Sequence, residues 1–412
     1  MTSEGTTAPP GRVVARAVWT TADQAVSSLA NAALTVVLAT TVSAADFGTF
    51  ALAFSIYSFL VGVSQALGAQ VVVIRFSGRS AGEWDRAVGL AAGTSVLVGL
   101  AGLLVLGGTA LFDLPSPQVL IVVAVLLPAL LLQDTWRTVL IAQGRPEQAF
   151  VNDVLWTGLQ LAAVPVLLLA GVVSATEYVA VWGLSAVAAA LLGIRQVRRR
   201  PRLSGVPAWL REHQETSKYL LAQWVAVLGA TQIAFVAVAA IGSVAAVGSL
   251  RAALTLLGPL NIIGMAATSF AVPEMVRRSL DRRQLQLAAL VLSIGLTVVD
   301  AAWGVLLLLL PHDAGVALLG ETWGGAREAL PGMLVFTCAI GATVGASAVF
   351  RAVDKTRNIF YCSAVLGPLM LVLSVAGQLL DGSRGAAWGF ALAAALVIPM
   401  TWVLLHRALV VR

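Results

Sequence analysis

Arg251 lies inside an apolar stretch, 246–272, and its chemistry is the most specific that any single residue of the chain offers. A guanidinium stays charged and presents a planar fork of donors that fits phosphate oxygens two at a time. Two readings are open for it. The side chain snorkels to an interface, or it faces an internal cavity and binds an anion, above all a phosphate. At about 100° per residue, Thr255, Gly258, Asn261, Met265 and Ser269 share an arc of about 140° with Arg251. Pro259 on the same stretch predicts a kink. Stretch 18–41 carries a second polar arc of Thr20, Asp23, Gln24, Ser27, Ser28, Asn31 and Thr35, opposite Ala22, Val26, Leu29, Ala33 and Val37. Polar groups on a spanning helix face protein or water. The stripe therefore lines a cavity or forms a helix–helix interface held by side-chain hydrogen bonds. Seven such residues, an acid among them, favour the cavity. Stretch 47–74 adds Ser55, Ser58, Gly62, Gln65 and Ala69 on one face. Gln133, Asp134, Arg137, Asn152 and Asp153 stand near the ends of their stretches and are expected to be solvated, with Arg75 and Arg137 available for a basic mouth. Asp300 has no partner that the sequence assigns.

These residues must be positioned by helices. Twelve apolar stretches run through the 412 residues: 18–41, 47–74, 88–111, 119–142, 149–171, 176–194, 220–241, 246–272, 285–310, 329–350, 359–380 and 386–406. Most approach the ~20 residues that an α-helix needs to cross a bilayer. The gaps 75–87, 137–145, 195–219, 273–284 and 351–358 hold 19 of the 26 Lys and Arg, and the two tails add Arg12, Arg16, Arg407 and Arg412. The alternate gaps hold only Arg327 and Arg384. The positive-inside rule then predicts an all-α polytopic membrane protein of about 12 transmembrane helices with both termini cytoplasmic, in the cell membrane. Arg251 alone falls outside this pattern.

The composition, 59% hydrophobic and 11% charged, is that of a membrane protein, since soluble chains carry about a quarter charged residues. The net charge of +6 follows from orientation in the membrane and does not imply nucleic acid. No P-loop, H-E-x-x-H or His/Cys cluster is present, so neither a metal nor a cofactor is expected. The loops are short and their acids isolated, which disfavours an enzyme. Residues 1–17 read as a cytoplasmic tail, 18–194 as an N-terminal six-helix bundle, 195–219 as a basic cytoplasmic linker and 220–412 as a C-terminal six-helix bundle. The linker ends in an amphipathic piece, 208–219, expected to rest on the anionic inner leaflet. A faint similarity at an offset of 200 sets Ala44–Thr49 opposite Val244–Ser249, glycine on glycine, which fits parallel repeats. In the segment 312–327 a short interfacial helix is expected, with Leu318, Leu319 and Trp323 at the headgroups.

Local patterns give a resemblance. Ser43-Ala44-Ala45-Asp46-Phe47-Gly48-Thr49-Phe50 enters the second helix, Ala142-Gln143-Gly144-Arg145-Pro146 follows the fourth, Val247-Gly248-Ser249-Leu250-Arg251-Ala252-Ala253 opens the eighth, and Leu319-Gly320-Glu321-Thr322-Trp323-Gly324-Gly325-Ala326 precedes the tenth. In order and spacing these resemble the polysaccharide exporters and O-antigen flippases of the multidrug/oligosaccharidyl-lipid/polysaccharide exporter superfamily. There are departures: Leu250 stands where the family has an aromatic, and the two further C-terminal helices of lipid II flippases have no counterpart, which argues against lipid II. The resemblance implies two bundles around a central cavity and alternating-access transport of an undecaprenyl-pyrophosphate-linked oligosaccharide. Arg251, with Arg75 or Arg137, would bind the pyrophosphate, and Asp23, Gln24, Asn31, Gln65 and Asn261 the sugar hydroxyls. Membrane lipids and, in the same pathway, a glycan polymerase or glycosyltransferases are the implied partners. The alternatives are a cation-coupled multidrug antiporter of the same superfamily, with Asp23 as the coupling acid, or a non-transport membrane component of glycan assembly.

Overall fold

The computed structural model describes residues 30–77, 79–109, 116–278 and 280–410. Their elements are, in order, α1 (Ala30–Thr41), α2 (Ala44–Leu67), α3 (Ala69–Phe76), α4 (Ala81–Thr109), α5 (Pro117–Ala142), α6 (Pro146–Leu169), α7 (Ala175–Val197), α8 (Val206–Glu212) and α9 (Gln214–Trp224). A π-helical turn, Val225–Gly229, leads into α10 (Ala230–Ile241), α11 (Val244–Leu256), α12 (Gly258–Arg277), α13 (Arg282–Leu308) and α14 (His312–Leu319). A 3₁₀ turn, Gly320–Thr322, then enters α15 (Trp323–Ala352), and α16 (Arg357–Val410) closes the chain. Among the described residues no strand occurs. Among the described residues eight helical segments, with α2–α3, α14–α15 and the whole of α16 each taken as one, are long and apolar enough to cross a membrane, nine if α11 and α12 count as one span bent by 50°, and the chain is a multi-pass membrane protein.

Breaks in the helices have local causes. The α11–α12 bend falls beside Pro259, whose ring removes a donor from the ladder. α16 is broken at Asp381 and Gly382, where Gly382 takes φ 54°, a region that glycine enters freely. Gly377 packs on Gly385 and Leu373 on Gly389, so the two arms fold back as an antiparallel hairpin. Straight, its 54 residues would be about 80 Å long.

The chain divides into two compact units. Unit 1 takes residues 60–113 and 117–221 with the start of the chain, and unit 2 takes 35–59, 114–116 and 222–412. α2 is thus shared: its Phe59 end belongs to unit 2 and its continuation from Leu60 to unit 1. In lipid, helices associate by close packing rather than by the hydrophobic effect, and glycine notches provide it. In unit 1, Trp136 fills the notch at Gly193 and Leu126 the one at Gly183. In unit 2, Phe235, Phe336 and Phe390 form a cluster of edge-on rings over Met333, Leu330 and Met370.

One expectation is corrected. Leu319 and Trp323 are fully buried, with the indole lying on Gly315, so only Leu318 of the three is exposed. The glycine lets the large ring turn inward. The segment 195–219 packs onto the rest of unit 1. Arg202 N–H donates to the Gly89 carbonyl at 2.8 Å, Trp209 is buried and its Nε1 donates to the Leu67 carbonyl at 3.0 Å, and Gly93 leaves room for the Arg202 backbone.

Candidate functional site

Unit 1 holds a buried polar network. α5 contributes Gln133, Asp134 and Arg137, with Arg137 about one helical turn beyond the other two. α6 contributes Asn152 and Asp153. Gln133 Nε2 donates to Asp153 Oδ1 at 2.8 Å and to Asn152 Oδ1 at 3.2 Å. Asn152 Nδ2 donates to the Ala189 carbonyl and to Gln196 Oε1, each at 2.9 Å. The other Asp153 oxygen is ion-paired with Arg137 Nε at 3.2 Å. Gln65, on α2, donates to the Asp134 carboxylate and to Thr138 Oγ1 at 2.8 Å. Gln133, Asn152 and Asp153 are each at most 2% exposed, so the expected solvation does not occur. A charge buried this deeply is tolerated because it is paired and its lone pairs are filled.

Asn31 lines a crevice of about 10 Å³ in the same unit together with Asp153, Trp156, Gln160 and Trp182, room for at most one water. Arg75 is exposed and donates to Thr216 Oγ1 at 2.8 Å. Beside it His213 packs edge-on against Trp209 and Phe76. That apolar cover lowers the imidazole pKa; Glu212 opposes the shift and Arg75 adds to it.

Unit 2 places Arg251 differently. Its guanidinium lies 4.0 Å over the Phe54 ring, within a run of rings on α2 from Phe47 through Phe50 and Phe54 to Tyr57. A guanidinium on an aromatic face is attracted by the ring quadrupole while its edge donors stay available. Among the described residues no carboxylate lies within ion-pair distance of it. The pairing is set by a helix crossing: a methyl added at Gly248 of α11 would sit 3.0 Å from the Gly48 Cα of α2. These are the two glycines that the 200-residue offset aligns. The sequence does not single out Phe54, because aromatics spaced a turn or so apart on an apolar helix read as core packing.

A cavity of about 540 Å³ lies within unit 2, among α12, α13, α15 and α16. Asn261 and Asp300 both line it; Arg251 does not. Asp300 is 5% exposed, and its carboxylate reaches α15 only because position 341 is glycine, where a methyl would lie 2.5 Å from Oδ2. The eight residues singled out from sequence are therefore dispersed. Gln65 and Arg137 belong to the unit 1 network, Asn31 lines the crevice beside Asp153, Arg75 contacts the 195–219 segment, Arg251 joins Phe54, and Asn261 lines the same cavity as Asp300. Asp23 and Gln24 lie outside the described residues.

No protein-family model matches the chain, and no curated protein matches it in sequence. Solved structures do. An inward-facing multidrug resistance transporter of the MATE family, in the MOP superfamily, aligns with TM-score 0.71 at 14% identity, over 93% of this chain and 95% of that one. The lipid II flippase MurJ in an inward closed conformation aligns with TM-score 0.72 at 13% identity, over 94% and 87%. An outward-facing MATE transporter aligns with TM-score 0.62 at 14% identity, over 96% of each chain.

Proposed function

We propose that the chain is a flippase that moves an undecaprenyl-pyrophosphate-linked oligosaccharide across the cytoplasmic membrane by alternating access. Its fold, similar to those of MOP-superfamily drug exporters and of a lipid II flippase, supports this reading. The observation that carries this reading is Arg251: a guanidinium in an apolar helix, stacked on Phe54, with no acid among the described residues to neutralise it. Such a group is costly in a membrane unless it serves an anion, and a pyrophosphate matches its fork. Gln65 and Arg137 are already committed to Asp134, Thr138 and Asp153, which removes them from the residues proposed for the sugar hydroxyls. A fixed positive charge disfavours cationic drugs, which sets the multidrug reading second.

The test is transport of a fluorescent polyprenyl-pyrophosphate glycan in proteoliposomes. Arg251→Ala should lower the rate at least about tenfold, the scale expected when one partner of a desolvated charge pair is removed. An unchanged rate in a well-folded variant removes the pyrophosphate role.

A further inference from the structure

Four arginines crowd the turn between α12 and α13, and they fall into two pairs with different partners. Arg277 and Arg278 are both ion-paired with Glu274, Arg277 at 2.5 Å. Arg282 and Arg283, in the first turn of α13, have no carboxylate within ion-pair distance among the described residues. Together with Gln286, and with His406 near the end of α16, they line an open groove of about 470 Å³. Asp281 also lines it, but its carboxylate is already in use. Asp281 Oδ1 accepts from the Gln284 N–H at 2.8 Å, and Gln284 Oε1 accepts from the Asp281 N–H at 2.9 Å. This capping box turns the acid toward the helix end.

What remains on the groove wall is donor capacity. A guanidinium carries five N–H groups and no acceptor, a glutamine amide carries two N–H groups, and an imidazole carries one in either neutral tautomer. The start of a long helix adds partial positive charge of its own. Donors in this excess suit a phosphate, whose oxygens accept in pairs from a guanidinium. A second feature gives that phosphate a tail. Arg283 opens a face of α13 that continues through Leu287, Leu290, Val291, Ile294 and Val298, all exposed, at the three- and four-residue steps of one helical stripe. On a spanning helix such a stripe meets acyl chains, so headgroup donors and tail surface lie end to end. Charge then chooses among lipids. A zwitterionic headgroup brings a cation of its own, which finds here two arginines and an acid already used as a cap. An anionic headgroup brings none.

We propose that the groove between the start of α13 and the end of α16 binds the phosphodiester of an anionic phospholipid, with an acyl chain along the stripe 287–298. The site does not rest on the flippase reading. The full-length protein in a neutral detergent is titrated with phosphatidylglycerol, and bound lipid is counted by native mass spectrometry. A saturable binding step is expected that phosphatidylcholine does not give and that inorganic phosphate at equal concentration does not compete away. Arg282→Gln with Arg283→Gln is expected to weaken this step about 25-fold, two arginines at about fivefold each. Arg195→Gln with Arg200→Gln removes the same charge from the end of α7 and the segment after it, and should leave the step unchanged. Gln286→Glu keeps both arginines but sets an acid one turn from Arg282, and is expected to weaken the step as well. That variant decides the matter if the double groove variant does not fold. Equal binding of phosphatidylcholine overturns the proposal, and competition by inorganic phosphate overturns it in favour of a free-phosphate site. A step that persists in both groove variants, or that falls as far in the Arg195 and Arg200 variant, overturns it too.

Discussion

Asp153 in unit 1 and Asp300 in unit 2 are both carboxylates on long apolar helices, 2% and 5% exposed. Their surroundings are opposite. Asp153 has an arginine on one oxygen and a glutamine amide on the other. Asp300 has a glycine surface and a cavity. One negative charge is neutralised by the protein itself and locked to its neighbours; the other has no cationic partner among the described residues. The difference teaches that burial of an acid does not by itself identify a working residue. What distinguishes the two is whether the counter-charge is supplied by the chain.

This contrast can be broken from either side. The largest effect is expected from Arg137→Ala, which strands Asp153 and should cost about 3–5 kcal/mol, read as a lower thermal midpoint in detergent. The paired change Arg137→Leu with Asp153→Leu should recover most of that loss, because it removes both buried charges together. Asp300→Asn should behave oppositely, with the midpoint held or raised, since no internal pair is broken. A midpoint drop as large as that of Arg137→Ala would erase the distinction. Next in size, Gly248→Val forces a branched side chain against α2 and should cost about 1–3 kcal/mol. Because it also parts Arg251 from Phe54, transport should fall along with the midpoint.

The smallest effect concerns His213, in the segment docked on unit 1. Its folded pKa lies below the ordinary 6.5 because of burial, so the unfolded chain binds the proton more readily. Stability must then fall as pH drops through the range just under that value. His213→Gln should flatten this slope in a thermal midpoint measured from pH 7 to pH 5, leaving the midpoint at neutral pH almost unchanged.

Much of the architecture was legible. Apolar runs and alternating basic gaps gave the helix ends, and Pro259 the bend between α11 and α12, because lipid imposes length and hydropathy one helix at a time. Contacts between helices were less legible. Arg137 and Asp153 stood correctly at the ends of their stretches, but their pairing depends on how α5 and α6 rotate against each other, which no periodicity within either helix records. Arg251 stood out by charge; Phe54, its partner, did not. Helical phase makes Asn261 a companion of Arg251, but the break between α11 and α12 separates the two, and Asn261 lines the cavity that Asp300 also lines.

The meeting of Gly48 with Gly248 carries a consequence of its own. Each glycine is the clearance of the other: a methyl added at Gly248 would sit 3.0 Å from the Gly48 Cα, and one added at Gly48 would strike the Val244 backbone. A change at either position is felt at both, so the crossing of α2 and α11 tolerates no bulk on one side that the other could make room for.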